Sequence, residues 1–252
     1  MNQPGPLDFH DDDDARRAAK ARLEGHGEPP PPPPKRRPFG WIVGILFLGW
    51  IAYITINGQL TEGPGSQGIL DNRPLPPVAA PLVLSDLNGD ANVATRRGQG
   101  QAGKRPACEV RGRKILNTCQ LAERGPVVLG FYFARSGGAC RRQLDVMERV
   151  RRDFPAVRFA AFTVRGDRGE LRELVRERGW RFPVGHDRDG LVANVYGVAG
   201  CPTTTLAYPG GIVMHSYVGK RLLTEARLRA EVARLVERSR RRGWKAPPKP
   251  KA

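Results

Sequence analysis

Four side chains in this sequence are equipped for sulfur chemistry: Cys108, Cys119, Cys140 and Cys201. Cys140 sits in ARSGGACRRQL, residues 134–144, where an extended apolar run gives way to a helical pattern. A thiol in the first turn of a helix, beside cations, is pushed toward the thiolate, the form that attacks and is displaced in disulfide exchange. Arg135, Arg141 and Arg142 flank this one, while burial would push its pKa the other way. The even count admits three full pairings, and spacing alone does not select one.

The elements that would hold these cysteines follow from periodicity. PVVLGFYF (126–133) and VRFAAFTV (157–164) are continuous apolar runs of strand length, the pattern of strands buried on both faces. After Gly137-Gly138, Cys140, Leu144, Met147 and Val150 mark one face of a helix. Asp167 and Glu170 form a capping box for a helix that stops at Gly179. A short extended piece (182–187) and a short helix (191–198) follow. Strands at 200–209 and 212–218 flank a Pro-Gly-Gly turn, and an amphipathic helix over 223–238 turns Leu228, Val232 and Leu235 inward. ACEVRGRKILNTCQL (107–121) reads as two short strands about Arg111-Gly112-Arg113, a hairpin that a Cys108–Cys119 structural disulfide would pin. The fold class is α/β, a mixed central sheet with helices on both faces and an N-terminal β-hairpin extension.

Upstream, residues 1–38 read as a disordered tail with an acidic run (Asp11 to Asp14), a basic Ala-rich piece and prolines 29–34 in extended polyproline II. FGWIVGILFLGWIAYITI (39–56) carries no charge and nearly matches a hydrocarbon core of about 30 Å, so one transmembrane helix is expected to precede the folded domain. Lys35, Arg36 and Arg37 precede it and the next basic residue is Arg73, which puts the N-terminus in the cytoplasm and the rest outside. Residues 57–77 read as a flexible tether, 78–240 as the domain and 241–252 as a basic, Pro-containing tail. An extracytoplasmic domain is permitted disulfides.

PVVLGFYF…GGACRRQL, RFAAFTV and VYGVAGCPTTTLAYPGGIV together resemble the membrane-anchored, extracytoplasmic thioredoxin-fold proteins of the TlpA and ResA type, grouped with the redoxin/AhpC-TSA superfamily. The resemblance spans roughly 78–238 and implies a thioredoxin-like fold, with Pro202 as a cis-proline beside the redox site. The family's Trp-Cys-x-x-Cys motif is incomplete: Cys140 takes the place of the second, resolving cysteine and Gly137 that of the nucleophile. The peroxiredoxin pattern is incomplete as well, with Phe133 where its proline falls and Gly137 where its threonine falls. The same fold places Cys201, next to Pro202, near the helix start. The resemblance therefore implies thiol–disulfide oxidoreduction or antioxidant chemistry with Cys140, Cys201 and Pro202 in the site. It implies protein thiols, disulfides or peroxide as substrate. The alternatives are a non-catalytic thioredoxin-fold binding or chaperone module with structural disulfides, or a peroxiredoxin-like thiol peroxidase.

Other classes are weakly supported. Net charge is +17, from 42 Lys+Arg against 25 Asp+Glu, yet the arginines are scattered without a nucleic-acid module, so no nucleic-acid partner is expected. Two cysteines with His186 would suit Cu(I), and His215 reads as an ordinary strand residue; neither a metal nor another cofactor is expected. No Cys-x-x-Cys-His is present for haem.

Overall fold

A computed structural model describes residues 10–23, 40–60, 67–134 and 137–247. The chain divides into two units, Met1–Thr61 and Glu62–Ala252.

In the first unit, α1 spans His10–Leu23 and α2 spans Gly40–Leu60. The sequence predicts a disordered tail over 1–38, and α1 departs from it. Its alanines and long basic side chains are strong helix formers, and Asp13 and Asp14 near its start complement the positive end of the helix dipole. Prolines 29–34 lie outside the described residues. α2 exposes Trp41, Val43, Leu46, Phe47 and Leu48. Its side chains are described for residues 41–55, and among the described residues no helix is long and apolar enough to cross a membrane.

The second unit begins earlier than the sequence predicts. Residues 57–77 read as a flexible tether, yet Ile69 is buried and Asn72 and Leu75 donate backbone hydrogen bonds to Val213 and Gly211. The segment covers the edge of a sheet whose unpaired backbone groups would otherwise face water. β1 (Ala79–Pro81) pairs antiparallel with β2 (Ile115–Asn117) in a small two-stranded sheet.

The expected hairpin over 107–121 is not formed. Ala107–Glu109 is a single 3-10 turn, β2 pairs with β1 instead, and Thr118–Arg124 is a helix, α3. The Asn117 side chain accepts from the Gln120 amide and caps α3, while its Nδ2 donates to the carbonyls of Ala107 and Val110. One asparagine thus starts a helix and ties down the loop that was expected to be a strand.

The main sheet contains β3 (Val127–Phe133), β4 (Arg158–Val164), β5 (Val184–Asp187), β6 (Thr203–Ala207) and β7 (Val213–Val218), in the order β5-β4-β3-β6-β7. β3, β4 and β5 are parallel, β6 is antiparallel to β3, and β7 is antiparallel to β6. Between them lie α4 (Gly138–Val150), α5 (Arg168–Arg178) and α6 (Leu191–Val195), and α7 (Glu225–Arg241) closes the fold. The strand alternation divides the core. Val127, Leu129 and Phe131 pack on one face with Phe162 and Tyr196. Val128 and Tyr132 face the other, with Leu144 and Met147 of α4 and Leu228, Val232 and Leu235 of α7. Gly130 lets α4 approach: a Cβ there would lie 2.7 Å from the Met147 sulfur. Asp167 caps α5 by accepting from the Glu170 amide, and Gly179 ends it at φ 62°.

Candidate redox site

The parallel strand β3 delivers the chain to the start of α4, and Cys140 is the third residue of that helix. Cys140 is 2% exposed, packed among the residues under the helix. Cys201 arrives from the other side, on the loop before β6, and is half-buried. The two are joined in a disulfide with Cα atoms 5.4 Å apart across 61 residues of sequence. The Cys201–Pro202 bond is cis. Cys140, Cys201 and Pro202 therefore meet at one place.

Cys108 and Cys119 form the second disulfide, also with Cα atoms 5.4 Å apart. They come from the 3-10 turn and the first turn of α3, not from two strands.

Gln143, which the sequence reading passed over, holds the site together. It lies on the Cys140 face of α4 and is 1% exposed. Its Nε2 donates to the Thr203 carbonyl and, at 2.7 Å, to the Thr204 hydroxyl, while its Oε1 accepts from the Thr203 amide at 3.1 Å. A carboxamide paired with the peptide groups just after Pro202 fixes the loop against the helix independently of the disulfide. The signal was present: Cys140, Gln143, Leu144 and Met147 follow helical spacing, and one polar member of an apolar stripe asks for a buried partner. Two further hydrogen bonds set the loop, from the Thr203 hydroxyl to the Gly200 carbonyl at 2.8 Å and from the Gly219 amide to the Pro202 carbonyl at 2.8 Å.

The start of α4 has room for side chains. Cβ atoms added at Gly137 and Gly138 would meet nothing within 4 Å, and Gly137 has φ −72°, which any residue adopts. Glycine at the nucleophile position is therefore not demanded by backbone or packing. Of the expected flanking cations, Arg141 and Arg142 follow Cys140 directly in α4, and Arg135 lies outside the described residues.

The histidines stand apart. His215 Nδ1 lies 2.8 Å from Asp71 on the sheet edge. His186 is buried at the end of β5 with no partner for Nε2, and burial, its largest influence, lowers its pKa. Asp187 beside it is fully buried and caps α6, accepting from the amides of Val192 and Ala193 at 3.0 Å. Burial raises its pKa to about 6 against those hydrogen bonds. Among the described residues no group of three or more His, Cys, Asp or Glu side chains is arranged to hold a metal ion.

No curated protein matches the chain. Among solved structures, it is similar to a secreted Mycobacterium tuberculosis disulfide oxidoreductase homologous to E. coli DsbE. The identity there is 22%, covering 48% of this chain and 89% of that one, with a TM-score of 0.44. The thioredoxin domain of a thiol-disulfide oxidoreductase from Bacteroides vulgatus is 12% identical over 67% of this chain and 99% of that one, TM-score 0.48. The peroxidoxin BcpB from Mycobacterium tuberculosis is 17% identical over 69% and 97%, TM-score 0.46. The AhpC/TSA family model matches residues 106–216, a stretch that contains all four cysteines and Pro202. That match falls on the mixed sheet, with its helices on both faces, and on the loops that carry the cysteines.

Proposed function

We propose that this protein is a membrane-tethered, extracytoplasmic thiol–disulfide oxidoreductase whose redox pair is Cys140 and Cys201. The observation that carries the reading is the asymmetric exposure of one disulfide: Cys201 is half-buried, and Cys140 is buried at a helix start. An incoming substrate thiolate attacks the Cys201 sulfur, the reachable one. The Cys140–Cys201 bond breaks, and Cys140 leaves as a thiolate stabilised by the α4 N-terminus. A second substrate thiolate then attacks the substrate sulfur of the mixed disulfide and releases Cys201. The substrate dithiol becomes a disulfide, and the protein carries away its two electrons as a pair of thiols. In reverse, Cys201 attacks a target disulfide and Cys140 resolves it. Cys140 keeps the resolving role that the motif implies, and Cys201 replaces the nucleophile missing at Gly137.

The exposed apolar surface of α2 and the basic residues before it support the tether and its orientation, with the N-terminus in the cytoplasm. Two disulfides in the same domain suit an oxidising compartment.

The test uses the full chain in detergent, with insulin reduction and peroxide consumption as parallel assays. Cys201→Ser and Cys140→Ser should each lower insulin reduction at least 100-fold, and Cys108→Ser/Cys119→Ser should leave it within about threefold. Insulin reduction that survives Cys140→Ser would sink the proposal. Peroxide consumption that depends on Cys140 while insulin is untouched would assign a peroxidase instead. Gly137→Cys in a Cys201→Ser background should restore part of the rate, since the N-cap position has room for the side chain.

A further inference from the structure

The end of the sheet opposite the disulfide carries a concentration of cations, only one of which has a carboxylate partner among the described residues. Arg124 ends α3, Arg151 follows α4, Arg158 opens β4, and Arg181 stands in the loop before β5. Arg158 pairs in register with Val127, the first residue of β3, whereas Cys140 follows the last. The length of β3, about 20 Å at ~3.3 Å per residue, thus separates this end from the redox site. The four arginines line one groove of about 300 Å³, between apolar walls that include Phe154 and Phe182. No carboxylate lines it. An adjoining groove shares Leu121, Arg124 and Pro183 and adds Arg113.

Two of the nearby acids are engaged elsewhere, and a third, Glu148, is bound to members of the cluster itself. Glu123 pairs with Arg111, and Asp153 with Arg229. Glu148 accepts from Arg151 Nε and the Arg181 amide through the same oxygen, each at 2.8 Å. Among the described residues, Arg124, Arg158 and Arg181 have no carboxylate partner. Arg158 is half-buried in the wall, with its Nε enclosed and without an acceptor, and Oε1 of Glu148 is likewise enclosed without a donor. A buried charged donor left unmatched is a cost that a native fold seldom carries without a use.

We propose that this groove binds a phosphate group, carried either by a small soluble molecule or by a lipid headgroup. A carboxylate offers two oxygens in one plane and satisfies one guanidinium fork. A phosphate offers three or more oxygens in three dimensions, which suits forks arriving from the end of α3, the start of β4 and the loop before β5. The volume lies at the small end of ligand pockets, about 300–1,000 Å³. The apolar walls leave space for a short uncharged part. The site is independent of the redox reading.

Calorimetric titration of the full chain in detergent tests it, with sodium pyrophosphate and soluble dihexanoyl phosphatidic acid as probes at constant ionic strength. One equivalent of at least one probe should bind with sub-millimolar affinity. Arg158→Gln and Arg181→Gln should each weaken that binding at least tenfold. Arg227→Gln, a helix-surface control, should leave it within twofold, as should Cys140→Ser/Cys201→Ser. Tighter binding of pyrophosphate assigns a soluble ligand, and tighter binding of the phosphatidic acid assigns a headgroup. Thermal melts without ligand check folding, and Arg158→Lys, which keeps the charge but not the fork, provides a second folded variant expected to lose affinity. No binding of either probe, or an equal loss in Arg227→Gln, overturns the proposal.

Discussion

The two disulfides have the same Cα separation and different surroundings. Cys108–Cys119 closes a short segment already bound by hydrogen bonds: Asn117 ties the same loop, and Arg111 reaches both the Cys108 carbonyl and Glu123. Both of its cysteines are half-buried, and both lie in that one local unit. Cys140–Cys201 joins a helix start to a distant loop, with one buried half and one reachable half. The side chain holding that loop without the disulfide is Gln143. The first bond reinforces a piece of structure that hydrogen bonds already specify. The second has a separate clamp on its two ends, which the proposed exchange chemistry would use each time the bond opened.

Removing each bond separates these roles. Chain-entropy arguments assign about 4 kcal/mol to a closed loop of 61 residues and about 3 kcal/mol to one of 11. Urea unfolding of Cys140→Ser/Cys201→Ser should therefore show the larger loss, and Cys108→Ser/Cys119→Ser the smaller. The reverse order would mean that the local hydrogen-bond frame around Asn117 does not survive without its disulfide, and the comparison would fail.

Gln143→Leu sharpens the contrast from the other side. The substitution keeps the bulk and leaves the Thr203 peptide groups and the Thr204 hydroxyl without partners, for a loss of about 2–3 kcal/mol. It should also shift the Cys140–Cys201 equilibrium with glutathione at least tenfold toward the thiols, because the released loop no longer presents Cys201 to the helix. Mass spectrometry of alkylated thiols reads this directly, and the Cys108–Cys119 equilibrium should stay where it is. Equal shifts at both bonds would reduce Gln143 to a general stability residue.

What the sequence disclosed divides along the same line. The central sheet was legible because both-face burial writes continuous apolar runs, as in Val127–Phe133 and Arg158–Val164, and because Asp167 and Gly179 punctuate α5 with side chains suited to its ends. Residues 107–121 were misread because Arg-Gly-Arg is a turn signal that does not say which strand will pair with the residues after it. Those residues found β1, far upstream in sequence. The cap at Asn117 and the stop at Gly125 were visible but short, and a seven-residue helix has little periodicity to reveal. At the site, residue types indicated sulfur chemistry, whereas the clamp of Gln143 on Thr203 spans 60 positions, a contact that only the folded topology creates.

The smallest effect lies at the buried pair beyond the site, His186 and Asp187. Asp187 titrates near 6 in the fold against 3.8 for an ordinary aspartate, chiefly because burial disfavours its charge. A raised pKa means that its stabilising contribution is fully present below about 3.8 and is lost as pH rises through 6. Acidification from pH 7.5 to 4.5 should therefore recover about 2 kcal/mol from this residue. His186 acts in the opposite sense: burial lowers its pKa, so the unfolded chain takes up a proton below 6.5 that the fold resists. The net pH profile of the native protein mixes the two, and Asp187→Asn separates them. The variant still caps α6 with one oxygen but has no carboxyl to titrate. The stability of the native protein relative to the variant should increase by about 2 kcal/mol between pH 7.5 and 4.5, measured by urea unfolding at each pH. A gap that stays constant across that range would show that burial of Asp187 does not govern its ionisation.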